Sequence, residues 1–315
     1  MDDSEWLALV FERQRPHLRA VAYRMLGSLT EAEDAVQDTW VRLSRSGAAD
    51  VENLGGWLTT IVARVCLNML RSRNHRREEP LAVHLPDPVI STEAEIQPEE
   101  QALLADSVGL ALLVVLDTLT PDERLAFVLH DMFDLPFKEI AQVLGRTPAA
   151  AKQLASRARH RVKGAEIPAD PDLARQREVV DAFFAAARQG DFDALVAVLH
   201  PDVLLRADTG AEHAEASLRR YGSAAVARLV VKGMRRWLAA AVTELRPVLV
   251  NGSAGVVVTM DGQPTTVISF TVAEGKIATI DAIADPARAR KIAEITSASA
   301  QRSGRSVPPW SGLPQ

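Results

Sequence analysis

Two short segments of this chain carry basic residues without a single acid. Arg64 to Arg77 holds five arginines, at 64, 71, 73, 76 and 77. Arg146 to Lys163 holds six basic residues, at 146, 152, 157, 159, 161 and 163. Groups at that density neutralise phosphates. Asn68 in the first segment and Gln153 in the second are amides that can read a base edge. Between the two segments, residues 78–123 contain eleven acids and no Lys or Arg. A solvated face usually mixes signs, so this layout points to two phosphate contacts joined by an anionic spacer. A third group is acidic: Glu33, Asp34, Gln37 and Asp38 lie within about two helical turns, with Trp40 nearby. Such a face suits docking to a basic partner helix.

Helices must position these groups. Leu18, Val21, Ala22 and Met25 recur at helical spacing, and Gly27 ends that helix. Thr30-Glu31-Ala32-Glu33 reads as a capping box for the next one, running to about Ser44. From Trp57 to about Arg73, Leu58, Ile61, Val65 and Met69 form one apolar stripe, and Trp57 reads as packing rather than as a stacking platform. Pro80, Pro86, Pro88 and Pro98 make residues 78–100 an irregular linker. Thr120-Pro121-Asp122-Glu123 combines an N-cap, a first-turn proline and a capping glutamate. Residues 137–144 form a short helix, Gly145 breaks it, and Thr147-Pro148 starts another. That is a helix-turn-helix. Its second helix turns Ala151, Leu154, Ala158 and Val162 inward and Lys152, Gln153, Ser156, Arg157, Arg159 and Lys163 largely outward.

Beyond Pro171 helices are expected at 172–189, 191–199 and about 222–240. Strands follow at 242–250, 254–261, 265–272 and 277–284, with Asn251-Gly252, Asp261-Gly262 and Glu274-Gly275 as hairpin turns. Three helices followed by an antiparallel meander make an α+β domain. Residues 297–315 read as a tail.

The chain has 315 residues and a net charge of -5. Taken alone, that charge argues against a nucleic-acid partner; its distribution argues for one. Residues 1–164 carry 24 acids and 19 bases, and residues 165–315 carry 17 of each. No apolar run is long enough for a membrane helix, the acidic N-terminus lacks a signal-peptide layout, and Cys66 stands alone. The expectation is a cytoplasmic protein with no membrane role.

Tyr23-Arg24-Met25-Leu26-Gly27, Ala32-Glu33-Asp34-Ala35-Val36-Gln37-Asp38-Thr39-Trp40 and Trp57-Leu58-Thr59-Thr60-Ile61 resemble region 2 of the extracytoplasmic-function (ECF) sigma factors. Leu119-Thr120-Pro121-Asp122-Glu123-Arg124 and the helix-turn-helix at 137–163 resemble region 4. The remainder resembles a SnoaL-like (NTF2-like) domain, which one sigma subgroup carries. That subgroup's Trp-Leu-Pro-Glu-Pro has its counterpart here in His84-Leu85-Pro86-Asp87-Pro88. Asp208-Thr209-Gly210-Ala211-Glu212 and Asp285-Pro286-Ala287-Arg288-Ala289 depart from the subgroup's other two motifs.

The resemblance implies a multi-domain fold. It comprises an all-α region 2 (1–77), the acidic linker (78–100), an all-α region 4 (101–164) and an α+β cone (172–296), with the tail at 297–315. It implies core RNA polymerase and promoter DNA as partners and no cofactor or metal. Glu33, Asp34, Gln37, Asp38 and Trp40 then bind core polymerase. Arg64, Asn68, Arg71, Arg73, Arg76 and Arg77 contact the −10 element. Lys152 and Gln153 read the −35 element, beside Ser156, and Arg146, Arg157, Arg159 and Arg161 hold its phosphates. The linker, with Glu93, Glu95, Glu99 and Glu100, threads the polymerase's basic channel.

The cone fold class usually encloses a pocket. Asp208, His213, Tyr221, Arg235, Trp237 and Asp281 are the candidates to line it, for an unknown small ligand. The C-terminal domain reads as a built-in regulator that contacts the sigma regions or core polymerase, and the chain as no enzyme. The competing readings are a SnoaL-like cyclase or hydrolase fused to a DNA-binding module, and a stand-alone repressor. The acidic face at 33–38 argues against a repressor.

Overall fold

The structure, a computed structural model, describes residues 3–46, 53–76, 83–91, 109–165, 169–239 and 243–302. Glu93, Glu95, Glu99, Glu100 and Arg77 lie outside the described residues, as does the tail beyond Arg302. The described residues fall into two units. The first takes residues up to Arg76 and Gly109–Ala165; the second takes Val83–Ser91 and Ala169–Arg302. The two expected sigma modules therefore share one body, and part of the linker belongs with the C-terminal domain.

In the first unit, α1 (Asp3–Leu26), α2 (Leu29–Ser46) and α3 (Leu54–Arg76) pack on one another. Leu18, Val21, Ala22 and Met25 are fully buried, as their spacing required. The helix α2 starts earlier than the expected capping box at 30–33: Ser28 Oγ accepts from Glu31 N at 3.5 Å. Asn53 caps α3, its Oδ1 accepting from Gly56 N at 3.0 Å.

The second half of this unit comprises α4 (Leu110–Leu116), α5 (Pro121–Phe127) continued by a π-turn (Val128–Met132), α6 (Phe137–Leu144) and α7 (Pro148–Ala165). Both halves of the Thr120–Glu123 capping box are made. Gly145 adopts φ +65°, the left-handed conformation that ends α6 and redirects the chain into α7. Ala151, Leu154, Ala158 and Val162 are buried along α7.

In the second unit, α8 (Leu173–Gln189), α9 (Phe192–Val198) and α10 (Ser223–Ala239) lie with a seven-stranded sheet. The strands are β1 (Ile90–Ser91), β2 (Leu199–Asp208), β3 (Leu218–Tyr221), β4 (Thr243–Val250), β5 (Ser253–Met260), β6 (Gln263–Ala273) and β7 (Lys276–Ile283), in the order β1-β4-β5-β6-β7-β2-β3. The β4–β7 meander is antiparallel as expected, but β2 joins β7 in parallel, so the sheet is mixed. Val180, Phe183, Phe184, Leu205, Phe270 and Ile280 form the core between the helices and one sheet face. Strand alternation places Arg206, Ser269 and Asp281 on the other face. The helix α11 (Pro286–Arg302) packs on β6 and runs into residues expected to be tail.

The linker departs most from expectation. Leu85 to Ser91 are all buried, and Ile90 and Ser91 pair with Val250 and Leu249 as an edge strand. Asn251, in the expected turn, exchanges two bonds with Val89: its Oδ1 accepts from Val89 N, and its N donates to Val89 O, both at 2.9 Å. Apolar Leu85, Val89 and Ile90 outweigh the prolines because their burial removes apolar surface from water.

Candidate nucleic-acid interface

Arg64, Asn68 and Arg71 recur at i, i+4 and i+7 on α3 and are exposed. That stripe faces the helix-turn-helix half of its own unit. Arg64 Nη2 donates to Gln142 O at 3.3 Å, and Arg71 Nη2 donates to Asp122 Oδ1 at 2.8 Å. Arg73 turns elsewhere. It pairs with Glu31 and donates to Leu26 O, so it ties α3 to α2 and to the end of α1. The side chain of Arg76 lies outside the described residues. Trp57 is half-buried.

Along α7, Lys152, Gln153 and Ser156 are exposed near the N-terminal end, where a recognition helix meets base edges. The expected phosphate contacts hold acids of their own unit. Arg146 donates to Asp122 Oδ2 through Nη2 at 3.1 Å. Arg161 Nη1 donates to Glu123 Oε2 at 2.9 Å, and Arg157 Nε stands 3.8 Å from Glu123 Oε1. Arg159 pairs with Asp131. Lys163 is exposed.

On α2, Asp34 and Gln37 are exposed. Glu33 is held by Arg15 at 3.1 Å, and Asp38 by Arg42 at 3.0 Å. Trp40 is half-buried, its ring 5.0 Å from that of Phe11. This acidic face is partly neutralised but open.

Sequence reasoning missed the joint between the two halves of this unit. Arg124 is 2% exposed; its Nε donates to Arg24 O and its Nη1 to Asp117 at 2.6 Å. Arg24 lies over the Phe133 ring, 5.0 Å from its centroid, and His17 meets the same ring edge-on. Buried arginines read as surface residues in a sequence, so Arg24 and Arg124 stood out only as members of the region 2 and region 4 motifs, without this role.

The four described candidates for a pocket in the second unit, Asp208, His213, Tyr221 and Asp281, do not converge on one. Asp208 and Asp281 are buried in separate ion pairs. Asp281 takes a two-bond clasp from Arg206, at 2.6 and 2.8 Å. Burial pushes its carboxyl above the ordinary carboxylate range, against the pull of Arg206. Asp208 accepts from Leu85 N at 2.9 Å and from Arg288 Nη1 at 2.7 Å. Arg288 also donates to Asp87 and to Leu85 O. Burial opposes the Arg288 charge, but Asp87 and then Asp208 hold its pKa above the ordinary value. His213 is exposed on a 3₁₀ turn, and Tyr221 is 65% exposed on the edge strand β3. The side chains of Arg235 and Trp237 lie outside the described residues. No described helix is long and apolar enough to cross a membrane.

Comparison with known proteins bears on the family and the fold. Residues 10–76 match the sigma-70 region 2 family, and residues 109–162 match sigma-70 region 4. The chain is 39% identical over 285 residues to the ECF RNA polymerase sigma factor SigJ of Mycobacterium tuberculosis, covering 88% of this chain and 91% of that protein. It is 37% identical over 206 residues to a probable ECF sigma factor, SigI, of the same species, covering 64% and 70%. The crystal structure of SigJ superposes with a TM-score of 0.70 at 35% identity, over 91% of this chain and 98% of that one. Two helical sigma regions in order, an α+β domain after them, and similarity spanning nearly the whole of a curated relative place this chain in the family of ECF RNA polymerase sigma factors.

Proposed function

We propose that this alternative sigma factor binds core RNA polymerase through Asp34, Gln37 and the neighbouring face of α2. It holds the −10 element with Arg64, Asn68 and Arg71. It reads the −35 element with Lys152 and Gln153, and Arg157 and Arg161 contribute phosphate contacts. The observation that carries this reading is the exposed stripe on α3 in one body with the exposed N-terminal residues of α7. Melting a promoter costs a few kcal/mol for each unstacked base, and basic side chains along the strand offset it.

We read the C-terminal unit as a regulator with no catalytic role. Asp208 and Asp281, the two acids best suited to acid–base work, are each engaged by an arginine and buried. The same unit takes up Leu85–Ser91 of the segment between the sigma regions, which supports control through that segment. The test is run-off transcription with core polymerase and the full chain. Promoter-specific transcripts are expected from wild type, altered promoter preference from Lys152→Ala, and altered output from Arg288→Ala. No promoter-specific transcript from wild type with any promoter in a randomised library would reject the reading.

A further inference from the structure

A cleft of about 370 Å³ opens where α3 meets the start of α5 and the start of α7. Arg71, Arg146 and Arg157 stand around it with Asp122, Glu123 and Leu154. The three arginine side chains are about half exposed, at 44%, 53% and 58%. Asp122 is only 16% exposed and sits between two of them, one oxygen on Arg71 and the other on Arg146. Glu123, at 4% exposed, faces Arg157 and Arg161 and also accepts from Thr120 in the capping box.

Four arginines therefore share two carboxylates, leaving a surplus of two positive charges. The two acids also differ. Glu123 is built into the helix cap, whereas the contacts of Asp122 are to arginines. One carboxylate between two guanidinium forks occupies the place that suits a phosphate, which offers more acceptor oxygens and more charge. Those arginines come from the two segments read above as −10 and −35 contacts.

We propose that this cleft is a phosphate-polyanion site which the chain fills with its own Asp122 carboxylate, and from which a polyphosphate displaces it. The proposal deepens the sigma reading and rests on it for the biological consequence, not for the binding. An occupant would bridge the −10 helix to the helix-turn-helix, so a free polyphosphate would compete with promoter phosphates for Arg71 and Arg146. The same chemistry has two sources, the DNA backbone and a free polyphosphate.

Calorimetric titration of the full chain with inorganic tripolyphosphate at low salt tests the site. Asp122→Asn, which removes the resident charge, tightens binding about tenfold, the worth of one charge-assisted hydrogen bond. Adding Arg71→Ala and Arg146→Ala to that variant abolishes it. Affinity for Asp122→Asn no greater than for wild type, or binding that survives the triple substitution, overturns the proposal. Should Asp122→Asn fail to fold, wild type is compared with Arg71→Ala: weaker binding to the latter supports the site, and equal affinity overturns it.

Titration with a random-sequence duplex separates the sources. If Asp122→Asn steepens the salt dependence by about 2, two arginines have been released to backbone phosphates. An unchanged slope with intact tripolyphosphate binding assigns the site to a free polyphosphate. Absence of any promoter-specific transcript from wild type, with intact tripolyphosphate binding, would reject the promoter-contact reading and leave the site standing.

Discussion

Arg288 Nη1 donates to Asp208 Oδ2 at 2.7 Å, joining the start of α11 to the end of β2 across 80 positions of sequence. Leu85 N reaches the same oxygen, and Asp87 takes Arg288 Nε at 2.6 Å. One guanidinium therefore fastens the segment between the sigma regions to the C-terminal sheet. Arg288→Ala leaves Asp208 and Asp87 buried without that cation, and removing one partner of a buried pair costs about 3 kcal/mol. Urea unfolding followed by a fluorophore on the C-terminal unit should show that loss. Hydrogen exchange of the Val89 and Ser91 amides should rise with it. An unchanged exchange rate would mean the β1 pairing holds the segment by itself.

The Arg206–Asp281 pair allows a cleaner partition. Its side chains are 12% and 3% exposed, and both charges sit on the sheet face away from α8–α10. Arg206→Met alone is expected to cost about 3 kcal/mol, because Asp281 is left buried without its partner. Arg206→Met with Asp281→Leu should recover most of it, since apolar replacements need no counter-ion. If the double variant is no more stable than the single one, the pair is held by something other than mutual compensation.

The recognition helix makes two different predictions for two neighbouring side chains. Lys152 is exposed near its N-terminal end, and Lys152→Ala should lose about 1 kcal/mol or more of discrimination between −35 sequences. Arg157→Ala should weaken binding to all sequences alike and lower the salt slope by about 1. Competition binding with matched and scrambled −35 duplexes at several salt concentrations measures both. Promoter preference unchanged in Lys152→Ala would move the base contacts to other positions of α7.

Much of the architecture was legible. Apolar spacing gave the helix-turn-helix, and Thr120 and Glu123 behaved as their spacing required because a capping box is a local device. The hairpin turns at Asn251, Asp261 and Glu274 were legible for the same reason: each takes positive φ beside a glycine. Long-range choices were hidden. Strand β2 contains Pro201 and Asp202, and its parallel pairing with β7 comes from a partner at least 75 residues away. The linker looked irregular because nothing in residues 83–91 reveals the sheet edge waiting at β4. The arginines of the interface were found by charge, but Asp122 and Glu123 read only as helix-start acids. Their second role depends on a tertiary approach that no short window contains.

The joint around Phe133 predicts a pH response. His17 on α1 hydrogen-bonds Thr59 Oγ1 on α3 at 3.2 Å, and its ring stands edge-on to Phe133 at 5.3 Å. Burial, and then the positive charge of Arg24, hold its pKa below the ordinary value. The folded chain thus resists a proton that the unfolded chain accepts at about pH 6.5. The stability that depends on neutral His17 is complete above that pH and is lost as the pH falls below it. Wild type should therefore lose stability between pH 8 and 5.5, and His17→Gln, which keeps a partner for Thr59 but has no titration, should lose less. Urea midpoints for both proteins at the two pH values decide it. Equal losses would show that protonation at this joint is not what weakens the fold in acid.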